Sequence, residues 1–179
     1  MRTNTNTKAA LLSSAQSKTR TGSDDDPVLV IIDMQPDEFP ASSDEKTIAG
    51  VMREITNAKA NLWGIVIVEF DPHETGKTDP RLMRLIEGYA NLAVVAKSED
   101  DGSAEIFEAI IEHGFWPENL RICGCNSDAC VLRTVEGYAK RVPSSHIQVV
   151  KSACNCLTGP TNDVWTEKFP SIANVEVLP

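Results

Sequence analysis

Short runs of consecutive apolar residues, separated by segments of helical periodicity, constrain the fold of this chain more than any other feature. The first run, residues 28–32, is Val-Leu-Val-Ile-Ile. A strand with one solvated face alternates apolar and polar residues, whereas a strand buried on both faces is continuously apolar. Similar short apolar runs predict further strands at residues 65–68, 92–96, 120–124, 147–150 and 175–178. The chain therefore predicts a sheet that is covered on both faces.

Helical segments occupy the stretches between these runs. In residues 44–62, Ile48, Val51 and Ile55 recur at helical spacing, with Ser43 as the expected N-cap. Further helices are predicted at residues 80–89, 103–113, 129–141 and 164–172. Alternating strands and helices predict a single α/β domain of three α/β/α layers, with a five- or six-stranded parallel sheet in Rossmann-like order. A dinucleotide-binding site is not expected, because Asp33-Met34-Gln35 follows the first strand instead of a glycine-rich loop.

The first 26 residues differ in composition from the rest. They are rich in Thr, Ser, Asn and Lys and contain no aromatic residue. We predict a disordered tail over residues 1–26 and one folded domain over residues 27–179. An organellar transit peptide is the alternative interpretation of the tail, because its first 23 residues carry basic but no acidic side chains.

Charge and cysteine content narrow the functional class. The formal net charge is −9, and such a surface repels phosphate backbones and anionic membranes, so neither nucleic acid nor membrane is expected as a partner. No apolar run approaches the roughly 20 residues of a membrane-spanning helix. The five cysteines are an odd number and follow no secretory signal, which predicts reduced thiols and a cytoplasmic location.

Three reactive side chains are predicted to meet at one edge of the sheet. Asp33 follows the first strand, Lys97 follows the third, and Cys130 begins the helix after the fourth. Ligands of parallel sheets bind at the carboxyl ends of the strands. A helix N-terminus and a nearby lysine are expected to lower the pKa of a cysteine, and a carboxylate can accept its proton. Singly, each has a structural interpretation: a turn aspartate, a solvated lysine and a packed cysteine.

Three segments around these residues resemble a known family. They are similar to motifs of the isochorismatase-like cysteine hydrolases, which include nicotinamidases and N-carbamoyl amidohydrolases. The three segments are residues 28–39, residues 94–97 and Gly124-Cys125-Asn126-Ser127-Asp128-Ala129-Cys130-Val131-Leu132-Arg133-Thr134. The resemblance implies Cys130 as nucleophile, Asp33 as proton-transfer carboxylate and Lys97 as their electrostatic partner. It also implies a cis peptide between Cys125 and Asn126, with the N–H groups of Asn126 and Cys130 as an oxyanion hole.

The implied reaction is hydrolysis of a C–N bond in a small amide or carbamoyl substrate through a thioester. Gln35, Phe39, Asp71 and His73 are the expected substrate-binding residues. Family members that cleave isochorismate typically lack the cysteine, which is why Cys130 favours C–N substrates. A homo-oligomer is expected as well, since a shallow site at a sheet edge is often completed by a neighbouring chain.

Several alternatives stay open. No cofactor and no metal is expected, although Asp71 and His73 could begin a zinc site, and the pairs Cys123/Cys125 and Cys154/Cys156 could form a thiolate site. The acidic segment of residues 98–102 is expected to be a solvated loop rather than a subsite for a cation. The alternative functions are a catalytically silent small-molecule binding or interaction protein, and a thiol redox protein.

Overall fold

A computed structural model describes residues 26–156 and 163–179, and these form one three-layer α/β/α unit. All strand pairs are parallel, and the order is β3-β2-β1-β4-β5-β6. The strands are β1 Val28–Ile32, β2 Ile65–Phe70, β3 Leu92–Lys97, β4 Asn119–Cys125, β5 His146–Asn155 and β6 Val175–Leu178. The predicted α/β class, the parallel sheet and the Rossmann-like strand order are confirmed.

The helices cover both faces of the sheet. They are α1 Glu45–Ala60, α2 Pro80–Ile86, α3 Ser103–Glu112, α4 Cys130–Arg141 and α5 Phe169–Ser171, with a 3₁₀ turn at Pro40–Ser43 and a π-helical turn at Val164–Lys168. β1 is fully buried and divides its side chains between two apolar clusters. Val28, Val30 and Ile32 face the α3/α4 side, whereas Leu29 and Ile31 face the α1/α2 side. This division explains why the sequence of β1 shows no polar alternation.

Several element boundaries differ from the sequence prediction by one or more residues, and three of the differences have a physical reason. Asp44, not Ser43, caps α1, because its Oδ2 accepts a hydrogen bond from Thr47 N at 2.8 Å. α2 ends at Ile86 instead of continuing to residue 89. β5 continues to Asn155 through a polar stretch, because its backbone pairs with β4 up to the register of Cys125 with Asn155. Backbone pairing of this kind leaves no apolar signature in the sequence.

Gly124 fixes the junction between β4 and the segment that leads to Cys130. Its φ is +122°, and a Cβ there would lie 2.0 Å from the backbone oxygen of Ile32. Only glycine allows β4 to pass β1 this closely. The close approach brings the segment after β4 next to the residue that follows β1, which is Asp33.

The N-terminal tail predicted over residues 1–26 lies, apart from Asp26, outside the described residues and stays a prediction. Among the helices of residues 26–156 and 163–179, none has the length and apolar character that crossing a membrane requires.

Candidate active site

Asp33 is placed by the end of β1 and is fully buried. Its N–H donates to Val68 O at 3.0 Å and so continues the β1–β2 ladder by one bond. The backbone then leaves the strand with φ +50°, in the left-handed region that aspartate tolerates better than most residues. The carboxyl group therefore lies at the carboxyl edge of the sheet.

Lys97 reaches Asp33 across the end of β2. It is the last residue of β3, and its Nζ lies 2.9 Å from Asp33 Oδ2, with both side chains fully buried. Neighbouring strands are about 4.8 Å apart, so two strand spacings separate β3 from β1, a span that an extended lysine can cross. On the way Nζ lies 4.8 Å from the centre of the Phe70 ring and donates to Glu99 O at 3.0 Å.

Cys130 begins α4 and is 4% exposed. β4 lies beside β1 in the sheet, so the start of α4 falls near Asp33, and the thiol is close enough to that carboxyl group to influence its pKa. The structure therefore brings together the three residues that the sequence predicted as catalytic. Their convergence depends on the strand order β3-β2-β1-β4, because α4 follows the strand next to β1.

Burial dominates the electrostatics of this group. It raises the pKa of Asp33, and the charge of Lys97, followed by the nearby Cys130 thiol, opposes that rise. Burial, followed by the charge of Asp33, raises the pKa of the Cys130 thiol to about 12, with Lys97 acting in the opposite direction. The sequence predicted a lowered pKa for Cys130 from the helix N-terminus and the lysine. That prediction is wrong, because desolvation and two nearby carboxylates outweigh both effects.

The segment between β4 and α4 carries the expected backbone donors. The peptide bond between Cys125 and Asn126 is cis, as the family resemblance implied. Asn126 O accepts hydrogen bonds from Ala129 N and Val131 N and closes the turn into α4. Within residues 26–156 and 163–179, neither the Asn126 N–H nor the Cys130 N–H donates to a backbone carbonyl. Their part as an oxyanion hole stays a prediction.

Gln35 and Phe39 have structural contacts at this edge. The fully buried Gln35 carboxamide donates to Phe70 O at 2.9 Å and Gly76 O at 2.8 Å, and it accepts from Phe70 N at 2.7 Å. It thereby holds the loop after β2 in place. Phe39 packs edge-on against Phe70 at 6.0 Å between ring centres. Their predicted part in substrate binding stays a prediction.

Asp71 and His73 line an open cavity of about 430 Å³ at the end of β2 and β3. Glu74, Glu105 and Lys97 share its wall, so the cavity adjoins the buried ion pair. Neither Asp33 nor Cys130 belongs to this wall. No group of three or more His, Cys, Asp or Glu side chains suited to a metal ion forms in the described part of the chain. Whether Asp71 and His73, or the two cysteine pairs, take part in binding a metal stays an open alternative.

Sequence reasoning missed the contact between Cys130 and Asp100. The Cys130 thiol lies 3.6 Å from Asp100 Oδ1, in the loop between β3 and α3. The segment of residues 98–102 was expected to be a solvated loop, and residues 98–101 are indeed exposed; the contact of Asp100 with the thiol is an addition to that expectation. The one signal in the sequence was the acidic segment after Lys97, which does not show where the Asp100 side chain points or which residue it contacts.

Comparisons with known proteins concern the family and the fold of the chain. The isochorismatase domain family matches residues 27–164. The fold is similar to N-carbamoylsarcosine amidase from Thermoplasma acidophilum, with a TM-score of 0.68, 18% identity and coverage of 85% of this chain and 95% of that chain. It is also similar to a nicotinamidase from Staphylococcus aureus, with a TM-score of 0.67, 17% identity and coverage of 84% and 97%.

A third similar structure is an octameric hydrolase of unknown specificity from Escherichia coli. Its TM-score is 0.67 at 15% identity, with coverage of 90% of this chain and 78% of that chain. At such identities the likeness concerns the fold. No curated protein sequence matches this chain.

Proposed function

Because the chain belongs to the isochorismatase domain family, we propose that it is a cysteine-dependent hydrolase that cleaves a C–N bond of a small amide or carbamoyl substrate. One observation carries this proposal: a fully buried ion pair of Asp33 and Lys97 lies against the Cys130 thiol at the carboxyl edge of the sheet. Solved amidases of similar fold support the substrate class.

In the first step the Cys130 sulfur attacks the carbonyl or carbamoyl carbon while its proton passes to Asp33. Attack and proton transfer occur together, because a free thiolate is disfavoured where the thiol pKa is about 12. The carbonyl oxygen becomes an oxyanion, and the N–H groups of Asn126 and Cys130 are the donors that would bind it. Such a donor typically contributes about 3 kcal/mol to the transition state.

In the second step the C–N bond breaks and the leaving nitrogen takes the proton from Asp33. The acyl group remains on sulfur as a thioester. Water then attacks the thioester carbon, gives one proton back to Asp33, and the C–S bond breaks. The proton returns to sulfur as the acid is released, so Cys130 and Asp33 end as they began.

Lys97 keeps Asp33 able to accept a proton. Burial raises the pKa of Asp33, and the Lys97 cation at 2.9 Å opposes that rise and so favours the carboxylate that accepts the proton. Contacts with the Phe70 ring and with Glu99 O fix the position of Lys97 Nζ. Gln35 and Phe39 shape the substrate mouth through the loop after β2, and Asp71 and His73 line the cavity through which a substrate would enter.

The test is ammonia release from a panel of small amides and N-carbamoyl acids. We expect turnover by the wild type, none by Cys130→Ser, and wild-type rates for Cys154→Ala, which removes a thiol away from this group. Trapping with hydroxylamine should convert the thioester to a hydroxamate. If the wild type binds members of the panel without turnover, the chain is a silent small-molecule binding protein instead.

We also propose that the protein is a homo-oligomer, because a structural neighbour is an octamer. Light scattering should then give a mass that is a multiple of 19.5 kDa. A mass of one chain across micromolar concentrations would contradict this proposal.

A further inference from the structure

A second carboxylate lies beside the Cys130 thiol, in addition to that of Asp33. Asp100 belongs to the loop between β3 and α3, and its Oδ1 is 3.6 Å from Cys130 Sγ. This distance is within hydrogen-bond range for a sulfur donor. A thiol has a single proton, so it can donate to Asp100 or to Asp33 but not fully to both.

The position of Asp100 is fixed by α4 itself. Thr134 lies one turn after Cys130, on the same face of the helix. Its hydroxyl donates to Asp100 O at 3.3 Å and accepts from Gly102 N at 3.0 Å. Thr134 is fully buried, so both contacts are shielded from water. The loop is therefore anchored to the helix that carries the thiol.

The same loop is also fixed on its other side. Lys97 Nζ donates to Glu99 O, and Gly102 is packed so closely that a Cβ would lie 2.8 Å from Lys97 Cδ. Asp101 Oδ1 accepts from Ser103 N at 2.8 Å at the start of α3. Contacts on both sides of Asp100 hold its backbone, although its side chain is exposed to solvent.

We propose that Asp100 is a positioning residue for the nucleophile: in the free enzyme its carboxylate holds the thiol proton of Cys130 and competes with Asp33 for it. The inference rests on the proposed role of Cys130. Substrate binding then has to turn the S–H bond from Asp100 towards Asp33 before attack. No atom or charge is lost in this exchange, since the proton stays on sulfur until Asp33 accepts it.

The negative charge of Asp100 has a further effect on the thiol. A nearby anion disfavours the thiolate, and the pKa of Cys130 is raised in part by Asp100. Asp100 therefore adds to the effects of burial and of Asp33, which keep the resting thiol protonated and slow to react with electrophiles. Its removal should make Cys130 more reactive while leaving Asp33, Lys97 and the fold in place.

The experiment is alkylation of Cys130 by iodoacetamide between pH 7.5 and 9.5, followed by peptide mass spectrometry. In this range the rate is proportional to the thiolate fraction. Removal of a nearby negative charge lowers the pKa of a thiol, so Asp100→Asn should react about threefold faster or more at each pH. Glu99→Gln is the matched control, since it removes the same charge from the same loop and should leave the rate unchanged.

Asp100→Glu separates charge from loop displacement. It keeps the carboxylate, so alkylation should stay within about twofold of the wild type. Equal rates for Asp100→Asn and wild type would overturn the proposal, and so would acceleration in both Asp100 variants. Because alkylation needs no substrate, these outcomes are independent of the turnover test. If the proposed function itself were wrong, the Cys130→Ser variant would keep full activity in the turnover test.

Discussion

Replacement of Lys97 by methionine tests the buried ion pair directly. Methionine fills a similar volume but leaves the Asp33 carboxylate without its cation, 2.9 Å away in the wild type. At that distance and an effective dielectric constant of about 20, Coulomb's law gives an attraction of about 6 kcal/mol. Breaking a buried pair by removal of one partner costs about 3–5 kcal/mol. We expect a loss in this range in the free energy of unfolding at pH 8.

The loss should depend on pH. Burial raises the pKa of Asp33 above its unfolded value of 3.8, so the folded state binds this proton more tightly and stability falls as pH rises through the folded pKa. Without Lys97 the folded pKa rises further, because the cation that lowers it is gone. The difference between Lys97→Met and wild type should therefore be largest at pH 8 and smaller at pH 5, where Asp33 takes up a proton.

The assay is urea denaturation at pH 8 and pH 5, with the free energy of unfolding from linear extrapolation. Lys168→Met is the control, since the pair of Lys168 with Asp163 is 3.5 Å long and about half exposed. That variant should lose about 1 kcal/mol or less. Asp33→Asn combined with Lys97→Met should recover part of the loss, because no buried charge then remains. A loss below about 1 kcal/mol for Lys97→Met at pH 8, or one that does not change with pH, would refute the reasoning.

Three further predictions concern the proposed proton acceptor, the β4 junction at Gly124 and the N-cap of α1. Asp33→Asn should lower kcat by at least about 10²-fold in the ammonia-release assay, the typical contribution of a general base, and near wild-type kcat would contradict the proposed proton transfer. Gly124→Ala should destabilise the fold by more than about 2 kcal/mol in urea, because the new Cβ would lie 2.0 Å from Ile32 O at a φ of +122°. Asp44→Ala should cost about 1 kcal/mol by the same measurement through loss of the α1 cap, whereas Ser43→Ala should be neutral if Asp44 alone caps the helix.

The raised pKa of Cys130 differs from the lowered pKa that the sequence alone predicted, and it changes the state in which the cysteine reacts. A lysine and a helix N-terminus beside a cysteine favour a thiolate when the thiol is exposed. Here the thiol is 4% exposed and has Asp33 and Asp100 as neighbours, so it rests protonated. In the proposed mechanism Cys130 therefore depends on Asp33 as a proton acceptor rather than on prior ionisation.

The sequence by itself determined the layers of the fold and the candidates for the site. Continuous apolar runs such as Val28–Ile32 require burial on both faces, and helical periodicity between them requires parallel crossovers. Because parallel strands end at one edge, the residues that follow β1, β3 and β4 belong to that edge whatever the order of the strands. These inferences use only local periodicity and chain direction, which the sequence records.

The tertiary structure alone decided the contacts among those residues. The 2.9 Å ion pair of Lys97 with Asp33 depends on the order of three strands, and the contact of Asp100 with Cys130 depends on a loop held by Thr134. The pKa of Cys130 follows from how completely it is desolvated and from which charges lie within a few ångströms. Desolvation and charge proximity are properties of the folded packing, because residues far apart in the chain supply the neighbours, and no local pattern in the sequence encodes their distances.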